Sequence, residues 1–138
     1  MAAIREYVKT DVVALEATAT AADAARVMTE RGIGSVGVLE DGQIVGLVTE
    51  RDLVGSVLAQ GCNGDEPIGE AMRRDLPLVS SRATETEALA LMRDHVTRHL
   101  LVAEDGEIMG LISMRDLVQL MLDEKQYAIE QLEAYIHG

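Results

Sequence analysis

Apolar and polar residues follow one pattern along this chain, and the pattern occurs twice. Residues 42–54 (GQIVGLVTERDLV) return as residues 106–118 (GEIMGLISMRDLV), 64 positions later. The rest of the sequence aligns at the same offset without a gap, so 4–54 and 68–118 are two copies of one unit. A unit that cannot bury its apolar face alone buries it against its copy. We therefore expect one domain made of two closely packed halves, with function where the copies meet.

Each copy predicts a helix, two strands and a second helix after a short lead-in. Thr20 and Thr84 each precede a carboxylate by three positions, which is the spacing of a helix N-terminal capping box. The dipeptides Asp41-Gly42 and Asp105-Gly106 each separate two apolar runs, which predicts tight hairpins. The apolar runs of these hairpins are residues 35–39, 44–48, 99–103 and 108–112.

The connecting segments suggest where each half begins and ends. Short apolar segments near residues 12–13 and 78–79 could add a strand to each half, which would make each half a small α/β sandwich. Residues 61–67 (GCNGDEP) are rich in turn residues and predict a linker. We divide the chain into a first repeat at 1–60, a linker at 61–67, a second repeat at 68–122 and a helical extension at 123–138.

A helical pattern that starts at Met114 continues well past the second copy. Charged residues separate its apolar positions, which are Leu117, Leu120, Met121, Ala128, Leu132 and Ile136. This stripe predicts packing on the body of the protein or on a partner subunit, and the pattern does not choose between them.

Composition restricts the classes of partner. The chain has a formal net charge of −12, no Phe, no Trp and three Tyr. This net negative charge repels a phosphate backbone, and the chain lacks the aromatic platforms that stack on bases, so we expect no nucleic-acid partner. The sequence has neither a secretory signal nor an apolar run approaching about 18 residues, so we expect a cytoplasmic protein without a membrane partner. Cys62 is the single cysteine and predicts no disulfide.

The candidate chemistry lies where a buried strand ends at a hydroxyl residue that opens a helix. The first N–H groups of that helix, the positive end of its dipole and the hydroxyl form a small anion site. An arginine in the first turn can reach the same anion, and an aspartate three residues after the hydroxyl can accept two hydrogen bonds from a ribose diol. These residues are Thr49, Arg51 and Asp52 in the first copy and Ser113, Arg115 and Asp116 in the second.

The same spacing also fits a helix cap, as it does at Thr20. On spacing alone the cap is the better interpretation. Arg51 and Arg115 change the balance, because a cap needs no arginine and a cation in the first turn opposes the helix dipole. An unfavourable charge present in both copies therefore indicates an anionic ligand.

The repeated ending G-hydrophobic-hydrophobic-[T/S]-x-x-D, which follows an Asp-Gly hairpin in both copies, resembles a tandem pair of cystathionine-β-synthase (CBS) domains. Such a pair is called a Bateman module, and the resemblance covers nearly all of residues 4–118. It implies an α/β fold (an α+β sandwich) in which two CBS repeats pack about a pseudo-twofold axis with two clefts between them. It also implies flat, disc-like dimers and an adenosyl ligand.

The resemblance assigns a role to each candidate position. The residues implied to meet phosphate are Thr49, Arg51, Ser113 and Arg115, and those implied to hold the ribose are Asp52 and Asp116. The residues implied to surround the adenine are Val12, Val13, Gly34 and Ser35 in the first copy and Leu76, Pro77, Arg98 and His99 in the second. The second copy is richer in cationic groups, so we predict that it is the tighter anion site.

These observations favour a stand-alone regulatory module that binds AMP, ADP or ATP, ahead of NAD or S-adenosylmethionine. The module would act as a nucleotide sensor through a homodimer and on a separate effector protein. A structural module with empty clefts, which recruits a protein partner through the C-terminal helix, is the alternative. An enzyme is disfavoured, because the sequence shows no activated nucleophile and no phosphate-cradling Gly-rich loop. We expect no catalytic cofactor and no metal site, since His95, His99 and His137 are scattered singly.

Overall fold

The computed structural model describes residues 3–137, which form two compact units. The first unit is Asp11–Leu76, and the second joins residues 3–10 to residues 77–137. Each unit contains one three-stranded sheet together with helices. The α+β class expected from the sequence is confirmed.

The first unit is built around the sheet β1-β2-β3, in which β1 is parallel to β2 and β2 is antiparallel to β3. Its elements are β1 (Ala14–Glu16), α1 (Ala21–Arg31), β2 (Ser35–Glu40), β3 (Gln43–Thr49), α2 (Glu50–Asp52), a π-helical segment (Leu53–Leu58) and α3 (Ile68–Ala71). Its core is aliphatic and includes Ala24, Val36, Val38, Val48 and Ile68. The first strand begins at Ala14, two residues later than the pattern near residues 12–13 predicts.

The second unit repeats this order around the sheet β4-β5-β6, with the same strand directions. Its elements are a 3-10 helix (Ile4–Tyr7), β4 (Leu78–Ser80), α4 (Glu85–His95), β5 (His99–Glu104), β6 (Glu107–Ser113) and α5 (Met114–His137). Its core includes Val79, Leu100, Val102, Ile112 and Leu117. The strand expected near residues 78–79 is present as β4.

Local capping chemistry sets the ends of α1 and α4. Both predicted N-caps, Thr20 and Thr84, form complete capping boxes with the carboxylate three residues later. The helix α1 ends at Gly32 with φ +63°, a left-handed conformation that glycine adopts without steric cost. The helix α4 ends in the same conformation at Val96, with φ +50°, which is unusual for a β-branched residue.

Both predicted hairpins are present and have matching turns. The φ angles are +52° and +77° at Asp41 and Gly42, and +52° and +81° at Asp105 and Gly106. Two consecutive positive φ values belong to the turn whose twist matches that of antiparallel strands, and Asp-Gly is among its preferred sequences. The turn residues therefore fix the register of the strands on either side.

The two lead-ins are exchanged between the copies. Ile4 begins the first copy, but it is fully buried in the second unit and its amide donates to Ala83 O at 2.9 Å. Ile68, the matching residue of the second copy, is fully buried in the first unit and its amide donates to Ala19 O at 2.8 Å. Each compact unit therefore takes its lead-in from the other sequence copy.

The helix α5 runs to His137, as the sequence predicts, but only its first part packs on the second unit. Leu117 and Leu120 are fully buried, whereas every residue from Lys125 to His137 is exposed. None of the helices in residues 3–137 combines the length and apolarity that a membrane crossing requires.

Candidate ligand-binding site

Each unit contains the same corner, where the last strand of the sheet runs into a helix. In the first unit the Thr49 amide and hydroxyl donate to Asp52 Oδ2 at 2.8 and 3.0 Å, and the Asp52 amide donates to Thr49 Oγ1 at 3.2 Å. In the second unit the corresponding distances between Ser113 and Asp116 are 2.8, 2.9 and 3.2 Å. The hydroxyl and the carboxylate of each corner therefore form a helix cap.

The cap changes what the corner offers to an anion. The first amide of each helix is also bonded, because Glu50 N donates to Gly34 O at 3.0 Å and Met114 N donates to Arg98 O at 2.8 Å. Two of the first three N–H groups of each helix are thus satisfied within the protein. The sequence pattern predicts free first-turn amides, and the structure corrects that expectation. The carbonyl of the residue just before β2 or β5 and the hydroxyl of the corner already accept two of the three hydrogen bonds.

Strand pairing brings the other predicted residues of the first unit to its corner. Ser35 is buried and pairs with Thr49 across β2 and β3, directly after Gly34. Val13 O accepts a hydrogen bond from Gly37 N at 2.8 Å, and Val12 precedes it in the half-buried segment that leads into β1. The first-unit set named from the sequence thus clusters around the start of β2.

The second unit gathers a more cationic set. His99 pairs with Ser113 across β5 and β6, and the exposed Arg98 precedes it. Pro77 directly precedes β4, which is parallel to β5, whereas Leu76 is the last residue of the first unit. Leu76 is therefore the one predicted residue of this set that the compact second unit does not contain.

The arginines of the corners are exposed, and none of them forms an ion pair with a carboxylate. Within residues 3–137, none of Arg51, Arg98 and Arg115 takes part in an ion pair. Thr49 and Asp52 are buried beside Arg51, and Ser113 and Asp116 are partly buried beside Arg115. Each corner therefore carries an available cation next to a shielded hydroxyl and carboxylate.

The lead-ins bring two further cations, Lys9 and Arg73, to the last strands of the sheets. Lys9 pairs with Leu111 on β6, and its Nζ lies 3.4 Å from Asp116 Oδ1. Arg73 pairs with Leu47 on β3, two residues before the corner. Lys9 and Arg73 are 64 positions apart, so the repeat offset was the signal that could have identified them.

A glycine in each strand makes room for the lead-in. A Cβ on Gly46 would lie 2.9 Å from Met72 Sδ, and one on Gly110 would overlap the backbone carbonyl of Lys9. The glycine that opens the G-x-x-[T/S] sequence therefore has a structural purpose. In the second unit it lets the lead-in backbone cross the strand that ends at the corner, and in the first unit it leaves room for the Met72 side chain of the lead-in.

The described part of the chain contains no group of three or more His, Cys, Asp or Glu side chains arranged to hold a metal ion. The corners consist instead of hydroxyl, guanidinium, ammonium and carboxylate groups. This chemistry suits a ligand that carries both phosphate and vicinal hydroxyls.

Three similarities place the chain among known proteins. The uncharacterized protein MK0525 of Methanopyrus kandleri is 37% identical over 120 residues, which cover 85% of this chain and 61% of the relative. A solved structure of an uncharacterized conserved protein from Pyrococcus horikoshii has a TM-score of 0.80 at 29% identity, over 87% of this chain and 92% of that one. The CBS domain pair of protein MJ0100, solved with 5′-methylthioadenosine and S-adenosyl-L-methionine, shares the fold at 17% identity, with a TM-score of 0.77 over 90% of this chain and 98% of that one.

The family model described as the CBS domain matches residues 4–59 and again residues 68–123, which together make up most of the chain. Both matches contain the strand-to-helix corner described above. The chain therefore belongs to the CBS domain family and carries two CBS domains in tandem.

Proposed function

We propose that this chain is a regulatory module that binds an adenosyl ligand of the AMP, ADP or ATP class at its two corners. The observation that carries the proposal is the repeated corner, in which an exposed, unpaired arginine lies beside a shielded hydroxyl and carboxylate. A structural cap explains the hydroxyl and the carboxylate, but it does not explain the arginine.

The cap and the ligand can share one aspartate. Asp116 uses Oδ2 for both hydrogen bonds from Ser113, while Oδ1 faces Lys9 Nζ at 3.4 Å. The Lys9 side chain is 69% exposed, so this ion pair contributes little stability and is readily exchanged. Asp116 Oδ1 can then accept a hydrogen bond from a ribose hydroxyl while Oδ2 keeps the helix capped.

The cationic groups would then meet the phosphate. The second-unit corner has two arginines outside the ion pairs, Arg98 and Arg115, whereas the first has only Arg51. Lys9 and Arg73 are each already paired with a carboxylate, Asp116 and Asp75 respectively. Because phosphate binding strengthens with the number of available donors, we propose that the second unit binds the nucleotide more tightly. The half-buried His99 would lie at the adenine end of the same corner.

Related folds support the ligand class. The MJ0100 pair was solved with two adenosyl compounds, which shows that this fold accommodates an adenosyl group in that protein. We place AMP, ADP and ATP ahead of NAD and S-adenosylmethionine for this chain, because its unpaired arginines suit a terminal phosphate.

Regulation would follow from population shift, since a ligand changes a conformational equilibrium only when it binds one state better than another. We propose a non-enzymatic sensor in the cytoplasm that acts as a homodimer on a separate effector protein. A protein-recruiting module is the second candidate, and the exposed residues 125–137 of α5 favour it.

The test is a thermal-shift and calorimetric screen against adenosine, AMP, ADP, ATP, NAD and S-adenosylmethionine. Ligand binding to the folded state raises the midpoint with concentration. We expect a nucleotide to raise the midpoint, R115Q to weaken its binding about tenfold or more, and adenosine to be insensitive to R115Q.

Arg31→Gln is the matched control, because Arg31 is also exposed but lies at the end of α1. Asp116→Asn tests the ribose contact with a side chain that still offers an oxygen to the cap. Two results would contradict the proposal: no midpoint shift with any adenosyl compound, or a shift that R51Q, R115Q and D116N all leave unchanged.

A further inference from the structure

No side chain in the last half of α5 is buried against the second unit. All 13 residues from Lys125 to His137 are exposed, although the helix continues unbroken from Met114. An isolated helical segment of this length is only marginally stable in water, because most helices are held by packing of an apolar face. A surface that covers the segment would therefore stabilise it.

The exposed residues of α5 include one regular and mostly apolar stripe. Its members recur at spacings of four and three residues, and they are Val118, Leu122, Lys125, Ile129, Leu132 and Ile136. The apolar members are 40–71% exposed, with Ile129 at the lower end and Ile136 at the upper. This alternation is the heptad repeat of a coiled coil, in which Leu122, Ile129 and Ile136 share one core position. The buried residues Leu117 and Leu120 do not belong to it.

We propose that this stripe binds the same stripe of a second copy of the chain, with the two helices antiparallel. The stripe is symmetric about residue 127, so a twofold axis there places every member opposite another member. Val118 would face Ile136 of the partner subunit, Leu122 would face the partner's Leu132, and Lys125 would face the partner's Ile129. One set of six positions thus forms a complete, self-complementary interface about 27 Å long.

Charge selects the antiparallel direction. In a parallel pair in register, Lys125 would face Lys125 of the partner subunit in the core, where two like charges repel. In the antiparallel pair each lysine stem packs beside an isoleucine and its ammonium reaches solvent. The antiparallel pair also holds the two protein bodies, each with a formal charge of −12 over the whole chain, at opposite ends of the coiled coil.

The residues flanking the stripe fit the same arrangement. Met121 and Tyr135 are 44% and 86% exposed and would cover each other across the interface. The small Ala128 would approach its own copy near the axis, where a larger side chain would separate the helices. This inference deepens the proposed function by naming the surface of its homodimer, and it does not depend on ligand binding.

The first experiment measures self-association of the full chain by sedimentation equilibrium. We expect I129E/L132E to raise the dissociation constant about tenfold or more, because both residues would face the partner core. Ala134→Glu is the matched control on the opposite face of the helix, and we expect it to leave association unchanged. Thermal unfolding should show that both variants keep the compact units folded, since Ile129, Leu132 and Ala134 are exposed in the protomer. Circular dichroism should show less helix only for I129E/L132E, because its residues 125–137 lose their cover.

The second experiment tests direction by oxidative cross-linking in a C62S background. Leu122 and Leu132 are opposite each other only in the antiparallel pair, so a mixture of L122C and L132C proteins should form the mixed disulfide. Each protein alone should cross-link at least about tenfold less.

Self-cross-linking of L122C alone would show a parallel pair and overturn the proposal. A monomeric wild-type chain, or a dimer that I129E/L132E leaves unchanged, would overturn it too; the first of these results would point to a different protein as the cover. The thermal shift by nucleotide is measured on the same variants. If I129E/L132E loses association but keeps the nucleotide-induced rise in midpoint, the interface and the nucleotide site are independent. The two proposals can therefore fail separately: an unchanged association contradicts the interface, and an absent rise in midpoint contradicts the nucleotide site.

Discussion

At the scale of single residues, two hydrogen-bonded side-chain pairs attach the lead-in of the second unit to β5 and α5. The Arg5 guanidinium donates to both carboxylate oxygens of Glu104, at 2.7 and 3.2 Å, and the Tyr7 hydroxyl donates to Asp123 Oδ2 at 2.6 Å. The bond from Arg5 lowers the pKa of Glu104, and the bond from Tyr7 lowers the pKa of Asp123. The same bond to Asp123 raises the pKa of Tyr7 to about 12. The lead-in that carries Lys9 is thus held to both β5 and α5.

Acid should loosen this attachment. Glu104 has a lowered pKa in the folded state, so its contribution to stability is complete above the unfolded pKa of about 4.3 and is lost as the pH falls through the folded value. We expect Glu104→Gln to reduce stability at pH 6 and to make the loss between pH 6 and about pH 3 smaller than in the wild type. Urea unfolding at the two pH values measures the difference. Glu107→Gln, on the same hairpin and exposed, is the control and should retain the wild-type loss.

At the scale of the elements, the lead-in of each unit pairs with the last strand of its sheet. Lys9 exchanges two backbone hydrogen bonds with Leu111, at 2.8 and 2.9 Å, directly beside Gly110. Because these bonds hold the two backbones together, the lead-in cannot move aside for a larger side chain. The glycine of the repeated motif is therefore explained by packing and needs no ligand.

Gly110→Ala should destabilise the second unit by about 1–3 kcal/mol, because its Cβ would overlap the Lys9 carbonyl and force the lead-in outward. Gly55→Ala is the matched control, since a Cβ there meets no atom within 4 Å and alanine favours a helix. Thermal and urea unfolding of both variants provide the measurement. Equal stability of G110A and G55A would show that the crossing tolerates a side chain.

At the scale of the whole molecule, the repeat produces two corners of equal geometry and unequal charge. The capping distances agree within 0.1 Å between the copies, whereas Arg98 and His99 of the second unit replace Gly34 and Ser35 of the first. Duplication therefore preserved the local backbone chemistry while the surrounding side chains diverged. Such a molecule should bind a phosphate-bearing ligand with two different affinities.

Calorimetric titration with the nucleotide that gives the largest thermal shift should reveal this inequality. We expect Arg98→Gln to weaken the tighter class of sites about tenfold and to leave the weaker class unchanged, because one charge-assisted bond is lost from the second unit alone. Arg51→Gln should do the opposite. Two sites of equal affinity in the wild type, or an equal effect of R98Q on both, would contradict the assignment.

The sequence by itself determined the features that depend on neighbours within a few residues. Short sequence spacings predict three kinds of feature: the capping boxes at Thr20 and Thr84, the hairpins at Asp41 and Asp105, and the start of α5 at Met114. Their chemistry is complete within one turn of backbone, so pattern alone was sufficient. The repeat and its motif likewise sufficed to indicate the family.

Only the tertiary structure decided the features that depend on distant partners. It placed Ile4 in the second unit, brought Lys9 to Asp116, and used the first amides of α2 and α5 for bonds within the protein. It also divided the apolar positions of α5 into a buried pair at Leu117 and Leu120 and an exposed stripe. These outcomes depend on which distant surfaces come into contact when the chain folds. Because the two copies have similar sequences, the sequence pattern does not show which copy a given segment packs against, and only the folded structure decides it.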